Sequence, residues 1–439
     1  MIYKIGGDII FDLGILNGKL YLEGKFIESN LYIKNGIIDT ITTSYLESTE
    51  NYDAKGEMVL PGFIDAHVHF NLGVGCNVSE DDFYNGSIKA AIGGITTFID
   101  FLDPIKNVSQ LDEAFNTRYE LAKRSVIDYG FHVTIANPDG NVKDLLNKSS
   151  LLGMPSIKLF TTYASTNRQT KDSYIDELLK YSRRTKTRIL VHAENNEMIN
   201  EKDVLVRDHE KSRPVLSEIT EILKLAEIAR YRNGLLYIVH TNCGTTLERM
   251  KEMYAKELHS SIILESAPHY FKLNSSLYER EDGYLYTMTP PLRCEEERKK
   301  LIRNIDAVDV IATDHCPFPK KLKDKKFTSE ISMGISGVKY SFLNMFTLFG
   351  ESIIPKFTEN PSKIHGLYPK KGTLMPGSDG DVVIFNPNKV TKVVDENSVY
   401  NNDLLKGEIM ATISKGKFIV KESKFLGGQG EYLPRRLEI

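Results

Sequence analysis

The stretch Pro61-Gly62-Phe63-Ile64-Asp65-Ala66-His67-Val68-His69 carries two imidazoles two residues apart. In an extended strand alternate side chains share a face, so His67 and His69 point the same way and could grip one metal ion. Two histidines on a half-exposed strand give the same pattern, and the pair alone leaves both readings open. Three more residues of metal-ligand type stand at the ends of apolar runs. His192 closes Arg188-Ile189-Leu190-Val191, His240 closes Leu235-Leu236-Tyr237-Ile238-Val239, and Asp314 follows Val308-Asp309-Val310-Ile311-Ala312-Thr313. Singly, each reads as a buried, hydrogen-bonded side chain; their joint occurrence with the His-x-His pair favours one shared centre. Lys158 lies inside Pro155-Ser156-Ile157-Lys158-Leu159-Phe160, where burial opposes its charge. A buried ion pair is the simpler account of it. A neutral amine there could instead add carbon dioxide and become an anionic carbamate able to bridge two cations.

These residues meet only if the runs that carry them are strands of one barrel. Eight runs qualify: Val59 to His67, Ile95 to Phe101, Phe131 to Ala136, Ser156 to Phe160, Arg188 to His192, Leu235 to His240, Ser260 to Glu265, and Val308 to Thr313. Helix-like segments separate several of them, such as Ser217 to Ala229, whose apolar residues recur every three or four. The pattern predicts a (β/α)8 barrel, which places its chemistry at the C-terminal ends of the strands. The flanks have another texture. Lys19-Leu20-Tyr21-Leu22, Leu31-Tyr32-Ile33-Lys34 and Ile37-Ile38-Asp39-Thr40-Ile41 are short and alternating, and the Asn-Gly pairs at 17–18 and 35–36 read as hairpin turns. The same texture returns in Gly380 to Phe385 and Met410 to Ile413. The expected architecture is α/β: a TIM-type barrel of residues 56–365 and a small discontinuous β-rich domain formed by residues 1–55 and 366–439.

Composition narrows the function classes. The 439 residues are 41% hydrophobic and 26% charged with a formal net charge of −3, which argues against a nucleic-acid surface. The basic run from Lys320 to Lys326 reads as a solvated surface loop. Cys76, Cys243, Cys294 and Cys316 are widely separated, giving neither a disulfide framework nor a thiolate zinc motif. The start, Met1-Ile2-Tyr3-Lys4-Ile5, lacks the apolar core of a signal peptide, and no run of about 18 apolar residues occurs. The expectation is a soluble cytoplasmic protein with neither membrane nor nucleic-acid partners.

Several motifs together resemble the amidohydrolase superfamily and, within it, the dihydropyrimidinase/hydantoinase family. They are the His67-Val68-His69 stretch, Asp81-Asp82-Phe83-Tyr84-Asn85-Gly86, Gly93-Gly94-Ile95-Thr96-Thr97, Lys158 to Tyr163, His192-Ala193-Glu194-Asn195, Val239-His240, Thr289-Pro290-Pro291-Leu292-Arg293, Thr313-Asp314-His315-Cys316 and Asn360-Pro361-Ser362-Lys363. The resemblance implies that His67, His69, Lys158, His192, His240 and Asp314 hold two divalent metal ions, typically zinc, with Lys158 carbamylated as the bridge. It implies hydrolysis of a cyclic amide by hydroxide, which a metal makes available near neutral pH by lowering the pKa of its water from 15.7 to about 7. Asp314 is then the expected proton carrier and Tyr163 the phenol that stabilises the developing oxyanion. The expected partner is a small cyclic amide, and the expected assembly a homodimer or homotetramer.

Two positions depart from the family pattern. Thr289 stands where the family has serine in Ser-Pro-Pro-Leu-Arg, and Met333 where it has asparagine; both are candidate substrate-binding residues. The segment from Phe70 to Glu80 has a small, apolar rim and reads as a lid over the mouth. Dihydroorotases carry an arginine two residues past the second histidine, here Asn71, which disfavours them; allantoinase shares the metal pattern and stays an alternative. A non-enzymatic scaffold of this kind would lack the metal ligands. His132, His209, His259 and His365 read as structural or surface residues, His269 could reach the mouth, and His315 could orient Asp314.

Overall fold

The computed structural model describes residues 10–74 and 77–438. Eight parallel strands follow one another in chain order around a barrel: β1 Phe63–Asp65, β2 Ile95–Phe101, β3 Asp128–Thr134, β4 Ser156–Phe160, β5 Arg188–His192, β6 Leu236–Ile238, β7 Ile262–Ser266 and β8 Val310–Ile311. These strands are buried on both faces, which is why they read as continuous apolar runs. Ile64, Ala66, Ile99, Leu190, Tyr237, Ile263 and Val310 fill the interior, and a larger apolar layer packs the outer face against helices. Helix Val215–Arg232 starts two residues before Ser217, with Pro214 as its N-cap.

The barrel closes between β1 and β8, just past their regular strands. Val68 bridges His315 in parallel, Asp314 N–H donates to the His67 carbonyl at 2.9 Å, and His69 N–H donates to the His315 carbonyl at 2.9 Å. Below this seam buried Asp65 accepts the Thr313 hydroxyl at 2.6 Å and the Thr313 N–H at 3.1 Å. Burial raises its carboxyl to about 7 in spite of these bonds.

The expected first strand is two strands. Met58–Pro61 pairs with Lys19–Leu20 and with Val382–Phe385 in the terminal sheet, and only Phe63–Asp65 enters the barrel. Gly62 is the crossing point: its N–H donates to Asp381, and a Cβ there would lie 2.2 Å from the Thr96 hydroxyl. The nine-stranded terminal sheet draws on both ends of the chain. Asn35-Gly36 forms the expected two-residue turn, with Lys34 opposite Ile37 and both turn residues at positive φ. Asn17-Gly18 does not. It sits inside the strand Phe11–Leu22, where the register shifts between Ile15 and Gly18, and the turn falls at Glu23-Gly24.

The chain after residue 428 returns to the N-terminal end of the barrel. Tyr432 bridges Tyr129, and the buried Arg435 guanidinium donates to the carbonyls of Phe131 and His365 and to the Ser156 hydroxyl. Lys371 ties the two sheets together, with its ammonium 2.7–2.8 Å from Asp128, Asp379 and Asp381. Among the described residues, no helix is long and apolar enough to cross a membrane.

Because a side chain at the crossing point must displace Thr96, Gly62→Ala is expected to cost about 2 kcal/mol of stability. Urea unfolding measures this, and an unchanged midpoint would show that the strand split does not depend on the glycine.

Candidate metal-dependent active site

The ligand-type residues do gather at the C-terminal mouth of the barrel. His67 and His69 follow β1, Lys158 lies in β4, His192 ends β5, His240 follows β6 and Asp314 follows β8. The rings of His67 and His69 are 5.1 Å apart, and both Nε2 atoms approach the same Asp314 oxygen, at 3.2 and 3.0 Å. These three offer ligand atoms within 4.8 Å of one another. His240 lies 5.6 Å from His67 and 4.6 Å from His192, centre to centre, so the imidazoles form one continuous wall. Lys158 is 3% exposed, its Nζ 5.7 and 5.5 Å from the ring centres of Phe101 and Phe160.

Charge in this enclosed space explains the protonation of each group. Burial would depress the His67 imidazole, but Glu265 and Asp314 outweigh it and raise it to about 9. Burial would raise Asp314, yet His67 and His69 hold its carboxyl well below the usual range. The Lys158 amine falls to about 8, because burial exceeds the attraction of Asp314 and Glu265. His240 is driven well down by burial and then by the neighbouring charges of His192 and Lys158.

Two carboxylates to which the motifs assign no role decide which nitrogen each imidazole turns inward. Glu265, on β7, accepts His67 Nδ1 at 2.7 Å, the His240 N–H at 3.1 Å and the Tyr237 hydroxyl at 2.7 Å. Glu194 accepts His192 Nε2 at 2.7 Å and Arg213 at 2.6 Å, and these partners pull it to about 2 against the effect of burial. His67 is left with Nε2 and His192 with Nδ1 facing the mouth, lone pair available once the outer nitrogen carries the proton. A ligating histidine usually donates its other N–H in this way, so the donor set fits a divalent cation. The signal that could have found Glu265 was the strand-end position already applied to the histidines.

Tyr163 follows β4 in a left-handed conformation, φ 67° and ψ 37°. Its ring stands 5.1 Å from His192 and 5.3 Å from the Arg213 guanidinium, with Thr289 beside it. Burial pushes the phenol up although Arg213 opposes it, so the hydroxyl keeps its proton. His240 and Asp314 also have positive φ, 41° and 50°. Three non-glycine residues in this sparsely populated region around one mouth are a mark of a functional site.

Segment 288–292 is pinned from behind. His209 Nε2 donates to the Met288 carbonyl, Tyr270 to Pro290, Asn242 to Pro291, and Leu292 N–H to Tyr278. Among the described residues, the main-chain groups of Thr289 and Met333 meet no hydrogen-bond partner, and both side chains are half-buried. The lid segment has a small ladder, Gly73–Val74 with Asn77–Val78, and Arg118 anchors its base through the Phe70 and Asn71 carbonyls and Asp100. Its Gly75 and Cys76 lie outside the described residues.

His315 does not turn to Asp314: Nε2 meets Asp81 at 2.9 Å while Nδ1 accepts Gly337 N–H at 3.0 Å, and these partners hold the ring away from the neighbouring carboxylate. His269 is buried near Asp314 and His67, with neither ring nitrogen hydrogen-bonded. The basic run is not uniformly solvated. Lys323 is 3% exposed and donates to two carbonyls, whereas Lys320, Lys321, Lys325 and Lys326 are exposed.

Residues 58–419 match the model of the amidohydrolase family. A D-phenylhydantoinase of Escherichia coli O1:K1 / APEC is 32% identical over 96% of this chain and 98% of its own length. Among solved structures, D-hydantoinase from a Bacillus sp. AR9 superposes with a TM-score of 0.91 at 26% identity, covering 98% of this chain and 100% of that one. Dihydropyrimidinase from Brevibacillus agri gives 0.88 at 26% identity, with 96% and 98% covered. The likeness runs through the barrel and the terminal sheet alike, and the chain therefore belongs to the amidohydrolase family, among the hydantoinases and dihydropyrimidinases.

Proposed function

We propose that the protein hydrolyses a small cyclic amide, a dihydropyrimidine, hydantoin or related cyclic ureide, with two divalent metal ions, zinc in the simplest case. His67, His69, Lys158, His192, His240 and Asp314 would hold them, Lys158 as a carbamate between the two. The observation that carries this reading is the turning of His67 and His192 by Glu265 and Glu194, which leaves His67 Nε2 against Asp314 and the Nδ1 of His192 turned away from its carboxylate. When bound, the metals would polarise the amide carbonyl and ionise water near neutral pH.

The chain's own groups do the rest. Asp314 is ionised, so it can accept the proton of the attacking water and pass it to the departing ring nitrogen. The protonated Tyr163 hydroxyl donates to the oxygen on which negative charge develops. Carbamate formation needs the neutral amine of Lys158, and burial moves the lysine toward that form. Thr289 and Met333 are suited to reading the ring through main-chain N–H and C=O groups that meet no partner among the described residues. Under this reading the departures from serine and asparagine cost little.

Dihydrouracil, hydantoin, 5-substituted hydantoins and allantoin, assayed side by side with metal-replete protein, test the function. At least one ring should open, with loss of the ultraviolet absorbance of the cyclic amide; opening of none would overturn the proposal. About two metal ions per chain are expected by elemental analysis. Lys158→Ala should lose both metal and turnover, with partial rescue by small carboxylic acids, and unchanged turnover would refute the bridge. In Glu265→Gln the partner behind His67 weakens, and metal affinity should fall on the order of 10–100-fold in a chelator competition. An affinity equal to wild type would reduce Glu265 to a packing residue.

A further inference from the structure

We propose that Lys323 sets the spacing between the two main-chain edges that read the substrate ring, a positioning role that rests on the assignment of Thr289 and Met333 above. Its Nζ donates to the Thr287 carbonyl at 2.8 Å and the Gly334 carbonyl at 2.5 Å. The Thr287 carbonyl also accepts the Gly334 N–H at 3.1 Å. One buried amine thus closes a ring of contacts that begins two residues before Thr289 and ends one residue after Met333.

The clasp acts beside one main-chain bond, Gly334 N–H to the Thr287 carbonyl, which remains when the amine is removed. Gly334 has φ 138°, and a Cβ there would lie 2.2 Å from the Cys316 carbonyl, so the backbone of segment 331–334 lies close against the chain that carries Asp314. The same segment reaches the lid through Asn77, whose side-chain amide donates to the Ser332 hydroxyl at 3.0 Å, and it is tied to the short helix Lys320–Lys323 by Ser332 N–H to Leu322.

The choice of lysine also points to its N–H groups. A buried ammonium needs an anion to offset its desolvation, and the one opposing influence on Lys323 is Cys316. Burial accordingly brings the amine to about 7. A neutral amine has two N–H bonds, which matches the two carbonyls it meets. Methionine would fill the same channel and leave both carbonyls without this donor.

Lys323→Met is the test, with Lys321→Met on the exposed side of the run as its control. Losing the clasp is expected to raise KM about tenfold, with kcat within about threefold and metal content unchanged. Hydrogen exchange, which needs no turnover, should show joint loss of protection in 287–292 and 331–336 with the barrel strands unaltered. The control should match wild type in both. An unchanged KM, or a fall in metal content and kcat together with general loss of protection, would overturn the role. If wild type opens none of the rings, the functional reading fails by itself. The exchange pattern then decides whether Lys323 spaces the two edges.

Discussion

Two main-chain hydrogen bonds across the seam between the first and last barrel strands are the constraint on which the site depends. Asp314 N–H meets the His67 carbonyl and His69 N–H meets the His315 carbonyl. These bonds close the barrel, and they also set how far the Asp314 carboxylate stands from two imidazoles. Closure and ligand geometry are therefore one requirement. Asp65 strengthens the same join from below by holding Thr313, which gives the aspartate of the Asp-x-His-x-His stretch a structural reason to exist.

Around that join the chain concentrates buried charge that would be expensive if left unpaired. Negative groups stand behind the imidazoles, Glu265 behind His67 and Glu194 behind His192, and the Arg213 guanidinium backs Glu194 in turn. On the open side Asp314 is shared between two histidines. The outer carboxylates orient and the inner donors face the space where a cation would balance them. Left-handed backbone at Tyr163, His240 and Asp314 is a further local cost, tolerated because strands and seam over-determine these positions.

The strands and the inner residues could be read from the chain because barrels impose a rule: polar groups at the C-terminal ends of apolar runs converge. That rule finds His192, His240 and Asp314 without knowledge of any partner. What escaped it depended on partners. The run from Val59 to His67 is apolar on both sides of Pro61-Gly62, and its division between two sheets depends on partners from elsewhere in the chain, Val382–Phe385 on one side and Thr96 against Gly62 on the other. Asn17-Gly18 has turn chemistry but sits in a bulge, where positive φ at Asn17 serves a shift in pairing. Lys323 is indistinguishable from its neighbours by type, and its burial follows from two carbonyls contributed by distant segments. Glu265 closes its run as His192 and His240 close theirs, so the same rule reaches it.

The end of the chain adds a consequence for how the molecule is made. Arg435 fills the floor of the barrel by donating to Phe131, a residue 304 positions upstream, and to Ser156. The strands that carry most of the inner wall therefore leave the ribosome long before the group that seals them from beneath. Until the stretch around Arg435 docks, the carbonyls of Phe131 and His365 lack the donor that it supplies. Contacts of such long range are slow to form, so sealing of the barrel floor is expected among the late steps of folding.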